Sequence, residues 1–165
     1  MALLEIKTAG DPVLKQICAP VEKIDKRFRN FLDDMFETMK ASEGVGIAAP
    51  QVGVLLRACV IAVDDKSRYD MINPVIIARE GSVVDNEGCL SCPNLFGDVE
   101  RAEKVRVEYT NRFGKRKTLD ADGLLARCIQ HELDHLDGKL FIDIAQNITK
   151  GKRKRNERGE LVSVD

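Results

Sequence analysis

Between Asp25 and Ser42 the apolar residues Phe28, Phe31, Leu32, Met35, Phe36 and Met39 recur every three or four positions. That spacing puts them on one stripe of a helix, with Asp25 as its N-cap and core packing as the role of the stripe. A shorter helical turn is predicted from Asp11-Pro12 to about Ile17. The period then changes. Three β stretches are predicted, about Leu55 to Val63, Met71 to Val84 and Val99 to Tyr109, the last alternating at Val105, Val107 and Tyr109. Asn111 to Gly114 reads as a hairpin turn. Helical spacing returns near Asp120 or Asp122 and stops at Gly138, a residue suited to the position just past a helix. Strands in the middle and a helix late, with no strand–helix–strand alternation, imply an α+β fold in which small antiparallel sheets pack around the late, central helix.

The segment Gly44 to Gln51 is too rich in glycine and alanine to be regular helix or strand throughout. No repeat, low-complexity stretch or linker interrupts the chain before its end. Its 165 residues suit one domain, expected to span 1–147, followed by a basic tail at 148–165. Net charge is −1, which argues against general polyanion binding and leaves no specific nucleic-acid partner expected. The tail departs from that balance. Lys150, Lys152, Arg153, Lys154, Arg155 and Arg158 face only Glu157. Such a run reads as a solvated, frayed end, or else as a patch for RNA or an acidic partner. No stretch approaches the roughly 18 apolar residues of a membrane span. Residues 1–10 carry no signal-peptide pattern. Five scattered cysteines, an odd number, favour a reducing cytoplasm over a disulfide framework.

The late helix carries the strongest chemical signal, His131-Glu132-Leu133-Asp134-His135. The chain has two histidines, and both lie here. Residues four apart on a helix are about 40° apart around its axis, so both imidazoles face one ion. Glu132 sits on the flank of that face, able to reach a water without being a ligand. Two histidines leave a catalytic site short of one protein ligand. Downstream, Asp143, Glu157 and Glu160 are weak candidates. Upstream, Cys89 offers a thiolate, a good ligand for zinc or ferrous iron. Cys92 forms a C-x-x-C pair with it, so a redox pair or a closed site of two cysteines and two histidines stays open from the residues alone. A closed site would have no use for Glu132. Leu124, Cys128, His131 and His135 share one helix face, which suggests an apolar approach to the ion, with Val45 able to join it.

Three segments, Gly44 to Gln51, Glu87-Gly88-Cys89-Leu90-Ser91 and His131 to His135, resemble the three motifs of the peptide deformylase family, in the family's order. The similarity runs from about Leu4 to Asp143, and Asp122-Gly123-Leu124-Leu125-Ala126 also resembles the family. The resemblance implies a metal-dependent hydrolase that removes the formyl group from the N-terminal methionine of new polypeptides. It implies Cys89, His131 and His135 as metal ligands, with Fe2+ the usual ion and Zn2+, Ni2+ or Co2+ as substitutes. It implies Glu132 as general base and then acid, and Gln51 with the Leu90 N–H as oxyanion donors. Gly46 would pair with the substrate backbone, Val45, Leu124 and Cys128 would bound the methionine pocket, and Glu87 with Arg101 would form a supporting ion pair. Asp85 and Arg127 stand where many members carry apolar residues, and Phe96 where some bacterial members carry an arginine. Some members dock a C-terminal extension on the ribosome, which gives the basic tail a possible partner.

Overall fold

Asp25 opens the first helix, α1 (Lys26–Ala41), by accepting the Phe28 N–H at 2.9 Å. This satisfies one of the donors that a helix start leaves unpaired. In this computed structural model, which describes residues 3–151 and the backbone alone of 153–155 and 161–163, the α1 stripe buries Leu32, Met35 and Met39 completely. They pack on a five-stranded antiparallel sheet in the order β1-β2-β3-β6-β7. Its strands are β1 (Gly46–Ala48), β2 (Ala58–Ile61), β3 (Tyr69–Glu80), β6 (Lys104–Thr110) and β7 (Arg116–Asp122). The second helix, α2 (Gly123–Leu136), covers the other face. β2 shows the consequence: Ala58 and Val60 join the core under α1, while Cys59 and Ile61 join the core under α2. All four are fully buried, as expected of a strand covered on both faces.

A smaller sheet, β4-β5-β8, comprises β4 (Val83–Cys89), β5 (Cys92–Arg101) and β8 (Gln146–Lys150). It supplies a third core patch around Leu14, Val99, Leu140 and Phe141. β4 and β5 form a tight hairpin whose register pairs Cys89 with Cys92 across Leu90-Ser91. Further on, β9 (Arg153–Arg155) pairs antiparallel with β10 (Leu161–Ser163).

The α+β class and both long helices match the sequence reading, whereas the strands divide differently. The stretch predicted from Met71 to Val84 breaks at Gly81, whose φ of +73° turns the chain out of β3 and into the other sheet. The stretch from Val99 to Tyr109 breaks at Ala102-Glu103, between β5 and β6, and the first β stretch contracts to β2. β7 is implied only by the hairpin turn at Asn111 to Gly114 and not by its own pattern: its sequence, RKTLDAD, is mostly polar, and of its side chains only Ala121 is buried. The early helical turn is a single 3-10 turn, Pro12–Lys15. Gly138 does follow α2 with φ +76°, and a Cβ there would lie 2.6 Å from the Lys15 carbonyl oxygen, so the helix end closes directly onto that turn. The Asn111 side chain closes the β6–β7 hairpin by accepting the Phe113 and Lys115 N–H groups at 3.0 Å each. β8 crosses the expected boundary at 147/148 and pairs with β5, so Ile148 to Lys150 belong to a sheet and not to a frayed end. The side chains of the basic run beyond Gly151 lie outside the described residues. Among the described residues no helix is long and apolar enough to cross a membrane.

Candidate active site

α2, the tip of the β4–β5 hairpin and the segment around β1 converge on one cleft of about 190 Å³. Its wall includes Gly46, Gln51, Cys89, Leu90, His131 and Glu132. The helix supplies His131 and His135, both buried, with ring centroids 5.1 Å apart. The hairpin tip supplies Cys89, whose Sγ lies 3.3 Å from His135 Nε2. The ligand atoms of Cys89, His131 and His135 all fall within 4.8 Å of one another. One sulfur and two nitrogens bound to a single small cation would stand about 3.5 Å apart, so the donors are already near binding distance. Cys92 is not part of this group. It is buried in the small-sheet core with Leu14 and Phe141, so a closed site of two cysteines and two histidines does not form in this arrangement.

Glu87 organises the ring of His131. The imidazole Nδ1 is 2.9 Å from Glu87 Oε1, which leaves Nε2 as the nitrogen available to an ion. Arg101 grips the same carboxylate with Nε and Nη2, both at 2.9 Å, and reaches Asp134 with Nη1 at 2.7 Å. Arg127 adds a third grip on Glu87 at 2.6 Å. Burial alone would raise the Glu87 pKa. The hydrogen bonds and charges of Arg101 and His131 outweigh it and hold the carboxyl well below the usual range. Burial drives the His135 pKa well below its ordinary value, which keeps that imidazole in the neutral form a ligand requires.

Glu132 has the opposite environment. It is 4% exposed, its Oε1 has no hydrogen-bond partner, and burial pushes its pKa up to about 7. A buried acceptor without a partner costs about 1–3 kcal/mol, so the atom is placed for something other than folding. Gly46 makes room for it. A Cβ on Gly46 would lie 2.6 Å from Glu132 Oε2. Because β1 is an edge strand of the large sheet, Gly46 also lies on backbone open to strand addition.

Gln51 follows β1 in a 3-10 turn and is 1% exposed. Its Oε1 accepts the Ala48 N–H at 2.8 Å, which turns the amide nitrogen toward Ser91 Oγ at 3.1 Å and Cys89 Sγ at 3.5 Å. Leu90 sits at the hairpin tip with its side chain over Gly44, where a Cβ would come within 2.8 Å of it. Val45 and Cys128 line the cleft beside His131. Leu124 is half-buried in the α2 core and does not line it. Leu124 stands on the same face as Cys128, one turn nearer the N-terminus of α2. Phe96 lies over Gly88, where a Cβ would be 2.5 Å from its ring, and Asp85 is exposed on β4 away from the cleft.

The sequence reading missed Ser91, Asp134 and the grip of Arg127 on Glu87. Asp134 lay in plain view inside the five-residue motif, but only the position of Arg101 on β5 gives it a partner.

Comparison with known proteins identifies the family. The family model for polypeptide deformylase matches residues 3–151. The chain is 46% identical to the peptide deformylase of Caldicellulosiruptor bescii over 98% of this chain and 99% of that one. A crystal structure of a peptide deformylase from Legionella pneumophila superposes with a TM-score of 0.86 at 44% identity, covering 88% of each chain. One from Synechococcus elongatus, in complex with actinonin, superposes at 0.85 and 44% identity, covering 87% of this chain and 79% of that one. A family match over nearly the whole described chain, with relatives this similar along their full length, means that the chain belongs to the peptide deformylase family, the metallohydrolases that remove the N-formyl group from nascent peptides.

Proposed function

We propose that deformylation runs in this chain at the Cys89, His131 and His135 cluster, with Glu132 carrying the proton. The observation that supports this reading best is the buried, unpartnered Glu132 Oε1 beside three converging ligand atoms. One thiolate and two imidazoles suit a borderline-soft divalent ion. We assign Fe2+ as the resident ion, with Zn2+, Ni2+ or Co2+ able to replace it. When bound, the ion supplies Lewis acidity that makes water a nucleophile near neutral pH.

The remaining roles fall to the chain's own residues. Glu132 takes a proton from the attacking water and later delivers it to the departing amine nitrogen. The Gln51 amide, locked by Ala48, and the Leu90 N–H donate to the formyl oxygen as it gains charge. Gly46 and the open edge of β1 align the substrate backbone. Val45 and Cys128 give the methionine side chain an apolar wall, and Leu124 acts only through the core it shares with Cys128. The catalytic domain, expected to end at 147, is assigned to run through β8 to Lys150, and the basic tail beyond it to a transient ribosome contact. Five free cysteines suit a cytoplasmic site of action, where thiols stay reduced.

A comparison of two substrates tests this reading. The metal-loaded protein is offered an N-formyl-methionyl tripeptide and an unformylated, internally quenched peptide. Formate release from the first with no cleavage of the second is expected. Cleavage of internal bonds would make the site that of a general metalloprotease.

A further inference from the structure

Arg127 is a buried arginine in the cleft wall, and the reaction as described gives it no task. Its Nη1 donates to Glu87 Oε2 at 2.6 Å and to the Val99 carbonyl at 2.9 Å. Its Nη2 donates to the Val83 carbonyl at 2.8 Å. One guanidinium therefore ties α2 to the start of β4 and to β5. It stands four residues before His131, one helical turn away on the same face of α2. The two residues grip opposite oxygens of one carboxylate, His131 on Oε1 and Arg127 on Oε2.

We propose that Arg127 is a positioning residue for the metal site, fixing Glu87 so that its Oε1 meets the Nδ1–H of His131. The proposal rests on the reading of His131 as a ligand. Arg101 cannot set this geometry alone. Its fork holds both Glu87 oxygens, but its remaining nitrogen is drawn to Asp134, whose side chain is 30% exposed. Of the groups that hold Glu87, Arg101 comes from β5 and reaches no backbone carbonyl among the described residues. Arg127 approaches Oε2 from the helix that carries His131 and is itself held by two backbone carbonyls. It adds a hold on Glu87 from a second element, anchored to the backbone of β4 and β5. The charge of Glu87, whose side chain is 3% exposed, is met by both Arg101 and Arg127, so this buried carboxylate is compensated.

The test is Zn2+ affinity of the metal-free protein, measured by competition with a chromophoric chelator, so that no catalytic readout is involved. Loss of an outer partner of a ligating histidine typically weakens metal binding 10- to 100-fold. Arg127→Leu, which loosens that partner without removing it, should bind Zn2+ more weakly than wild type by about 10-fold, the low end of that range. Arg127→Lys, which keeps the charge and loses the fork, should fall between them and covers the case in which the leucine variant fails to fold. In a Glu87→Gln background, Arg127→Leu should add less than about a threefold further loss, because its target is already altered. Wild-type affinity in Arg127→Leu, or an undiminished loss in the Glu87→Gln background, would overturn the proposal. A wild type that binds no Zn2+ would instead overturn the metal site itself, and the proposal with it.

Discussion

Replacing Gly46 by alanine separates catalysis from folding in this protein. Gly46 has no left-handed φ, so alanine meets no backbone strain. The added Cβ, however, would stand 2.6 Å from Glu132 Oε2, 3.1 Å from Cδ and 3.2 Å from Cγ. Ordinary contact begins near 3.4 Å, so the carboxylate must retreat by about 0.8 Å. A shift of about 1 Å in a reacting group costs roughly 100-fold in rate. Stability should change little. Overpacking costs about 1–3 kcal/mol, offset by about 0.4–1 kcal/mol from the smaller conformational freedom of the unfolded chain. The atom that yields is also the far end of a side chain. Gly46→Ala should therefore lower kcat by roughly 100-fold, with bound metal unchanged and unfolding free energy down by about 1 kcal/mol. The assay is formate release from an N-formyl-methionyl peptide, alongside metal analysis and thermal unfolding. Wild-type kcat in a folded, metal-loaded Gly46→Ala protein would refute the placement of Glu132 as the proton carrier.

Burial raises the Glu132 pKa to about 7 from 4.5, so this carboxyl favours the folded state fully below about pH 4.5 and progressively loses that contribution as pH rises through 7. In metal-free protein, Glu132→Gln should gain on wild type by about 3 kcal/mol across that window, seen as a widening gap in Tm; a gap that does not change with pH would contradict the buried, neutral acid. Gln51→Ala should lower kcat about 100- to 1,000-fold through loss of an oxyanion donor, and it should also destabilise the fold by about 1–3 kcal/mol, because the Ala48 N–H loses its acceptor. Deleting residues 152–165 should weaken co-sedimentation with ribosomes at low salt, and unchanged co-sedimentation would remove the ribosome contact assigned to the tail.

What the sequence disclosed follows from where its signals are local. α1 was legible because its stripe, its Asp25 cap and its length agree, and α2 because its histidine motif shares a face with apolar residues. The strands were less legible. β7 and β8 are polar along most of their lengths, since each has a face or an edge in solvent, and no apolar alternation marks them. The break at Gly81 sits inside an otherwise β-rich run, where only the left-handed φ separates two strands that belong to different sheets. The candidate ligands were suggested by spacing on one helix and one upstream thiol, with Cys92 left open beside it, and the fold brings Cys89, His131 and His135 together. The positions of Cys89 against His135, and of Glu87 among Arg101, Arg127 and His131, depend on the β4–β5 register against α2, which no local pattern records.

In the proposed reaction Glu132 moves the proton while Cys89, His131 and His135 hold the ion. The most direct test is anaerobic formate release from an N-formyl-methionyl peptide by Fe2+- or Ni2+-loaded wild type and Glu132→Gln, with metal content measured on the same samples. Rapid release by wild type and loss of about 100- to 10,000-fold in the variant, at equal metal content, are expected. Undiminished release by a metal-loaded Glu132→Gln protein would contradict it.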